Sequence, residues 1–485
     1  MRFDLFYELA VPTSARTDDR EVTGQALEQI AAADQAGFDG VWLAEHHFQR
    51  HFSHSSAPEV VLGAITQRTA RMRIGHAVVL LPFRNPVMVA ERIAMLDVLS
   101  GGRIDVGVGR GLSPREYEVF GGSIEESRGR VDEDLEIMRR CWSERPASFQ
   151  GKYWRFDDLD VVPKPVQKPH PPLWTAAVSP ETFPLAAEQG LGVLAGPFKP
   201  LFMVAEDHDR FVARCQELGK DPRELGFAMT LGVVVLDDGD RARRIAVQHI
   251  RWFYEQLLRL TAPVLERGGE SYRYYREELR TLRELTGGAP SLEALDAAGM
   301  VIAGTPEYAI ERFQKLANTG IDHVLCAVQA GGVPHSDAMR TIELMAERVI
   351  PALRETTAPA PGQQAGESFR DADLRIFLRD SQTLTPRLAI MSLPLAFKPE
   401  QAEGLEALYR IELRGRGGGT WWVRIAGGRL DLLGQDPGQS PDVRISAGGR
   451  TWVRMMQGNR RRGLLGRMRV SGDPQKAAAF ERLFL

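Results

Sequence analysis

The sequence predicts an α/β fold: a (β/α)8 TIM barrel with insertions, followed by a small C-terminal α+β domain. Three observations carry this. Short β-prone apolar runs alternate with helical patterns some eight times over about 350 residues. Residues 356–368 are small, polar and rich in Pro and Gly, which is linker composition. Beyond them the pattern changes to period-two alternation between Gly-rich turns, as in an antiparallel sheet.

The elements follow in order. Arg2 to Leu9 reads as a strand, and Val22 to Ala36 as a helix with apolar residues at helical spacing, closed by Gly37. Gly40 to Ala44 is a strand, Ala57 to Ala70 a helix, and Met72 to Leu81 a nearly continuous apolar strand. Pro86 opens a helix that runs to Leu99 and stops at Gly101-Gly102. Arg103 to Val108 is the next strand. Later come a strand at Leu173–Val178, a helix at Pro180–Gln189, a strand at Leu191–Ala195, a helix at Leu201–Leu218 and a strand at Phe227–Leu236. Val301 to Glu307 reads as a strand running into a helix start, Asp322–Val328 as a strand and Ser336–Leu353 as the closing helix. A doubly wound open sheet is the weaker alternative. No Gly-x-Gly-x-x-Gly follows a strand, so a dinucleotide crevice is unsupported. In the tail, Tyr409–Leu413, Trp421–Ile425, Arg429–Leu433 and Asp442–Ser446 are strand-like, with a hairpin signal at Gly427-Gly428. Trp452–Gln457 begins a helix, and Pro474–Phe484 is another.

The expected domains are therefore 1–355, a linker at 356–368, and 369–485. Charge separates them as well. The tail holds about 20 Lys and Arg against about 12 Asp and Glu, a net of about +8, leaving about −11 for the rest. The total of −3 points to no polyanionic partner, so nucleic acid is not expected. No apolar run reaches the roughly 18 residues needed to span a bilayer. Asp4 and Glu8 interrupt the first apolar run, which therefore does not read as a secretory signal. Cys141, Cys215 and Cys326 have neither metal nor redox spacing. So sparse a count suits a reducing, cytoplasmic setting, with no metal site.

The most informative stretch is Glu45-His46-His47-Phe48, directly after the run Gly37 to Ala44. Two imidazoles and a carboxylate thus stand at the carboxyl end of a strand, where barrels do their chemistry. Histidine is the side chain that titrates near neutral pH. The plain alternative is a pair of hydrogen-bonded histidines at a strand terminus. Alternation along the strand predicts that His46 and its neighbours do not share a face, which leaves Glu45 a structural role.

Several ordered stretches make residues 1–355 resemble the bacterial luciferase family of flavin-dependent monooxygenases. They are Gly37 to Phe48, Ile74 to Pro82, Leu96 to Arg103, Gly109-Arg110-Gly111-Leu112, Val119-Phe120-Gly121, Phe149 to Phe156, Pro163 to Pro172 and Ala303-Gly304-Thr305-Pro306. The resemblance implies a (β/α) barrel that uses reduced FMN as cosubstrate. Gly109, Arg110, Gly111 and Leu112 match the segment holding the flavin phosphate, where a dianion needs forked, charge-assisted donors. Ser179 and Thr182, with Ala177 before them, stand where a helix start suits a phosphate, although an N-cap is the plain alternative for Ser179. Ala77-Val78 falls where family members often carry a non-proline cis peptide under the isoalloxazine ring. His46 matches the active-site histidine near the reactive flavin edge and is the catalytic candidate; His54 and His76 are weaker candidates for lining the cavity. The luciferase α subunit carries a cysteine at the position of Gly109, so light emission is not expected. Tyr272, Tyr274 and Tyr275 fall in an insertion at 255–300 where family substrate lids lie.

The tail resembles the sterol-carrier-protein family through Pro441-Asp442-Val443-Arg444-Ile445, Trp452 to Gly458, and Gly466 to Asp473. That family offers an apolar tunnel; an assembly or stability module is the alternative. Together the resemblances imply a two-component monooxygenase. Dioxygen adds to reduced FMN as a flavin hydroperoxide, and His46 serves as proton relay or base toward a small or apolar organic substrate. A separate flavin reductase and a homo-oligomer, a dimer, are expected as partners. The alternatives are a deazaflavin-dependent hydride-transfer oxidoreductase and a non-catalytic lipid or ligand carrier.

Overall fold

The computed structural model describes residues 1–485 apart from 14–16, 112, 144, 198, 268–290, 357–385, 392, 394–396, 399–400, 403, 416–417, 434–435, 457–467 and 485. The chain divides into two compact units: Met1–Leu279 with Gly299–Ser368, and Arg280–Ala298 with Phe369–Leu485.

Parallel strands of the first unit close into a ring. In chain order they are β1 (Arg2–Tyr7), β2 (Gly40–Leu43), β3 (Arg73–Leu80) and β4 (Ile104–Gly109), then, after a two-stranded hairpin of β5 (Ala147–Gln150) and β6 (Arg155–Leu159), β7 (Leu173–Ala177), β8 (Gly192–Ala195), β9 (Phe227–Val235), β10 (Val301–Gly304) and β11 (His323–Ala327). Pairing runs β1-β2-β3-β4-β7-β8-β9-β11 and returns to β1, so eight of these strands form the barrel. β10 pairs with the far half of β9, Gly232–Val235. Every residue of β9 is buried, as expected of a strand covered on both faces.

Local signals fix the helices between the strands. Asp18 caps α1 (Asp19–Ala36) by accepting from the Glu21 amide, and Gly37 ends it in the left-handed conformation at φ 100°. Asn85 caps α3 (Pro86–Ser100) through the amides of Val87 and Met88. Helix α2 (Pro58–Thr66) is shorter than the sequence predicts. The Arg103 guanidinium takes the carbonyls of Thr66 and Thr69, and the Thr69 hydroxyl bonds back to the Ile65 carbonyl, so the helical ladder ends there.

The amino end of the barrel is plugged by a polar and aromatic cluster. Asp4, fully buried, accepts from Trp42 Nε1 at 2.7 Å, pairs with His323 Nε2 at 2.9 Å and meets Arg2 at 3.2 Å. Burial opposes its charge, but His323, Arg2 and Trp42 overcome that and hold the carboxyl far below the usual range. Trp42 and Trp174 meet edge to face at 5.4 Å. The bottom is thus sealed, and chemistry is left to the carboxyl end.

The second unit is a five-stranded mixed sheet in the order β14-β13-β12-β15-β16. Its strands are β12 (Ala407–Arg414), β13 (Gly419–Ala426), β14 (Arg429–Leu433), β15 (Val443–Gly448) and β16 (Arg469–Gly472). Alternate residues of β12 (Tyr409, Ile411, Leu413) are buried. Phe480, on the helix Pro474–Phe484, packs against Tyr409 at 5.1 Å and Trp452 at 6.0 Å. No described helix of the chain is long and apolar enough to cross a membrane.

Candidate active site

A cavity open to solvent lies at the carboxyl ends of the barrel strands. Glu8 follows β1, Glu45 and His46 follow β2, Ala77, Val78 and Leu80 belong to β3, Gly109 ends β4, and Val178 and Ser179 follow β7; all line it.

The β3–β4 seam shapes one wall. The register between these strands shifts between His76 and Val79, which brings the Val78 side chain close to β4. A Cβ on Gly109 would lie 2.4 Å from Val78 Cγ2, so only glycine fits opposite the shift. The Ala77-Val78 peptide is cis. Beyond Gly109 the chain turns through Gly111 at φ 82°, with Arg110 and Gly111 in the cavity wall. The Tyr117 hydroxyl of α4 (Pro114–Phe120) donates to the Arg110 carbonyl and anchors this turn.

Beside this turn, after the neighbouring strand β7, Ser179, 4% exposed, precedes α6 (Thr182–Gln189), whose first residue also lines the space. Arg128 and Asp132, on α5 (Ser127–Trp142), complete this end, and Arg128 stands 3.8 Å from Glu181. Two guanidinium groups, hydroxyls at a helix start and the amides around Gly111 form a donor set of the kind a dianionic phosphate requires.

The opposite part of the cavity is acidic and apolar. His46 Nε2 lies 3.5 Å from Glu8 Oε1. Burial disfavours the imidazolium, but Glu8, with Glu116 and Glu45 beyond it, outweighs burial and raises the His46 pKa to about 9. Glu45 is buried beneath it. Its Oε1 meets His47 Nε2 at 3.0 Å and Arg84 Nη2 at 2.6 Å, and its Oε2 accepts from the Leu80 amide. Burial alone would raise the Glu45 pKa; His47 and Arg84 hold it below the usual range. Glu116 accepts from the His47 amide at 3.1 Å, and burial pushes its carboxyl up. Phe6, Phe253 and Leu257 supply apolar wall, the last two from the helix Arg251–Arg267.

The structure therefore brings His46, Ala77, Val78, Gly109, Arg110, Gly111, Ser179 and Thr182 around one space. Ala177 is buried next to the wall, which Ala176 and Val178 form instead. Leu112 and the tyrosines 272, 274 and 275 lie outside the described residues. Strand alternation does not separate Glu45 from His46: β2 ends at Leu43, and beyond it the chain turns so that both line the cavity. His54 and His76 are not in the wall. His76 is 2% exposed, and burial lowers its pKa to about 4, so it is a neutral core residue. Sequence reasoning missed Glu8, Glu116 and Arg128 as wall residues. Only Glu8 carried a signal, a carboxylate closing an apolar strand.

Known proteins share this architecture. The profile of the family described as luciferase-like monooxygenase matches residues 1–323, and that of the SCP-2 sterol transfer family matches residues 394–485. The oxygenase component of the flavin-dependent trigonelline monooxygenase of Acinetobacter baylyi is 27% identical over 52% of this chain and 70% of its own. The alkanal monooxygenase alpha chain of the Kryptophanaron alfredi symbiont is 26% identical over 70% of this chain and 95% of its own. Among solved structures, the monooxygenase RslO1 of Streptomyces bottropensis superposes with a TM-score of 0.60 at 27% identity, covering 72% of this chain and 99% of that one.

Proposed function

The chain belongs to the luciferase-like monooxygenase family, and we propose that it is the oxygenase component of a two-component system. It takes reduced FMN from a separate reductase and uses dioxygen to oxygenate a small, largely apolar organic substrate. One observation carries this reading: the cavity combines a cationic, hydroxyl-lined end at Arg110, Arg128, Ser179 and Thr182 with an opposite part where His46 and its carboxylates stand among Phe6, Phe253 and Leu257. The first fits the phosphate of FMN; the second fits a substrate that must react away from bulk water.

Arg110, with Ser179 and Thr182, would hold the phosphate. Ala77, Val78 and Gly109 would lie along the ring system, where the lack of a side chain at 109 keeps the wall flat. A bound reduced FMN would supply the electrons and the centre at which dioxygen is activated. His46 holds a proton on Nε2 against Glu8 Oε1 at neutral pH, so its first act is to give a proton rather than take one. Phe6, Val78, Phe253 and Leu257 would put apolar surface around the reacting atoms. In the C-terminal unit, the match to the SCP-2 family supports the binding of an apolar ligand.

Photoreduced FMN titrated anaerobically into the protein, followed by mixing with aerated buffer, tests the reading. Tight binding of reduced FMN and a delayed return of the oxidised flavin spectrum, relative to free FMN, are expected. Preferential binding of a deazaflavin, with hydride transfer that ignores dioxygen, would replace this reading with the deazaflavin one.

A further inference from the structure

Glu8 is only half used by the partner described so far. One carboxylate oxygen, Oε1, faces His46 Nε2 at 3.5 Å. The other, Oε2, is buried and has no hydrogen-bond partner, although the residue is only 7% exposed and lines the cavity. A buried carboxylate oxygen left unpaired is costly, and one on a residue that lines a cavity calls for a partner that a water or a ligand can supply. Its position is informative. Glu8 follows β1, and in the closed ring β1 stands opposite β7, which leads to Ser179 and the cationic end. Glu8 therefore stands at the end of the cavity away from that donor set, among Phe6, Phe253 and Leu257.

We propose that Glu8 Oε2 is the polar anchor for the substrate, accepting a hydrogen bond from an O–H or N–H donor on an otherwise apolar molecule and so holding it beside His46. The substrate class follows: a compact hydrophobic skeleton, sized to the space between Phe6, Phe253 and Leu257, bearing one hydroxyl or amine. Substrates without a donor leave the carboxylate unpaired and are discriminated against, as sites built around a buried polar group reject analogues that cannot pair with it. The other charged groups around His46 do not offer this function. Glu45 is taken by His47, Arg84 and the Leu80 amide; Glu116 gives Oε1 to the His47 amide, and its Oε2 lies beside Gly111 rather than at the Phe6 end.

The inference rests on the monooxygenase reading for its meaning, but its test does not need flavin. Three nearly isosteric probes, benzyl alcohol, benzylamine and ethylbenzene, are titrated by ligand-observed NMR into the full chain, wild type and Glu8→Leu. FMN affinity is measured in parallel. The substitution should weaken benzyl alcohol roughly tenfold or more, the scale of one hydrogen bond to a charged group, while leaving ethylbenzene unchanged or tighter. Benzylamine should follow benzyl alcohol. If all three probes change equally, or none changes, Glu8 serves His46 alone and the proposal fails. Should the leucine variant not fold, Glu8→Gln decides, because it removes the charge at nearly constant volume. Its benzylamine affinity should fall more than its ethylbenzene affinity, and equal behaviour overturns the anchor. A wild type that binds the probes as expected but not FMN would defeat the flavin reading and leave the anchor standing.

Discussion

His46 Nε2 lies 3.5 Å from Glu8 Oε1, a contact made across adjacent parallel strands whose carboxyl ends both open onto the cavity. The pair turns a histidine into an imidazolium at neutral pH, with a pKa of about 9 despite burial. Activity that uses this proton should be level near pH 7.5 and fall as the pH rises through about 9. Because the folded pKa is raised, the pair's stabilisation is complete below the ordinary value of 6.5 and is lost on the same alkaline rise. Chemical denaturation at pH 6, 8 and 10 measures the second effect, and product formation against pH the first. Glu8→Gln should shift the alkaline limb toward lower pH; an unmoved limb would assign it to another group.

His46→Ala should leave FMN binding in place while lowering product formation about 10²- to 10⁴-fold, the range of a lost proton-transfer group. The informative ratio is product formed per flavin oxidised. A variant that retains full yield would make His46 a wall residue only.

Much of the barrel was legible because its punctuation is local. Gly37 and Gly101 stop helices by taking positive φ, and Pro86 and Pro306 open them, so element order could be read from one sequence. The helix predicted over Pro474–Phe484 and the strand over Arg429–Leu433 stand as read, since both lie between strong turn signals. The site was less legible, for a physical reason. Glu8 and His46 are 38 positions apart in sequence and meet only because β1 pairs with β2. Arg128 arrives from a helix that no strand-end pattern marks. His76 lies in an apolar strand like the neighbours that line the cavity, and only the packed structure shows it to be sealed in the core.

Arg110→Ala should weaken reduced FMN roughly 10- to 150-fold, the equivalent of one lost bidentate charge-assisted contact. Anaerobic equilibrium titration reads this directly. Arg128→Ala should weaken it less, because Arg128 already has Glu181 at 3.8 Å. The reverse ranking would move the phosphate contact from the turn after β4 to α5.

Glu45 holds the base of the site, with Arg84, His47 and the Leu80 amide on one buried carboxylate. Glu45→Ala leaves these donors without their acceptor and should cost about 2–3 kcal/mol in urea unfolding. Its pKa is depressed in the folded chain, so its contribution is present above the ordinary carboxylate range and is lost as pH falls through the folded value. The difference between wild type and variant should therefore shrink in acid. A difference that stays constant down to pH 3 would mean the loss comes from packing rather than charge.

On helix α3, Met95, Val98 and Leu99 are exposed at spacings of three and four, the exposed Glu91 and Arg92 separate them from the exposed Met88, and Val60 is exposed on neighbouring α2. This cluster of exposed apolar residues is the surface on which the expected dimer is tested. Met95→Glu combined with Val98→Glu should convert a dimer to a monomer in sedimentation velocity while leaving the circular dichroism spectrum unchanged. If the wild type sediments as a monomer, the cluster is not a self-association surface.

The C-terminal unit gives the last prediction. Its five-stranded sheet and the Tyr409–Trp452–Phe480 cluster form a core of their own, which predicts a separable module. A chain ending near Glu355 should fold and still bind FMN. It keeps residues 280–298, which cluster with the second unit, so a parallel version lacking that segment controls for an exposed remnant. If the module delivers an apolar ligand, truncation should raise the substrate concentration required for turnover and leave FMN affinity alone. If it serves assembly, sedimentation should change and turnover per chain should not. Truncated protein that stays insoluble in both versions would mean the barrel depends on the second unit for its own folding, and the boundary at 355 would be withdrawn.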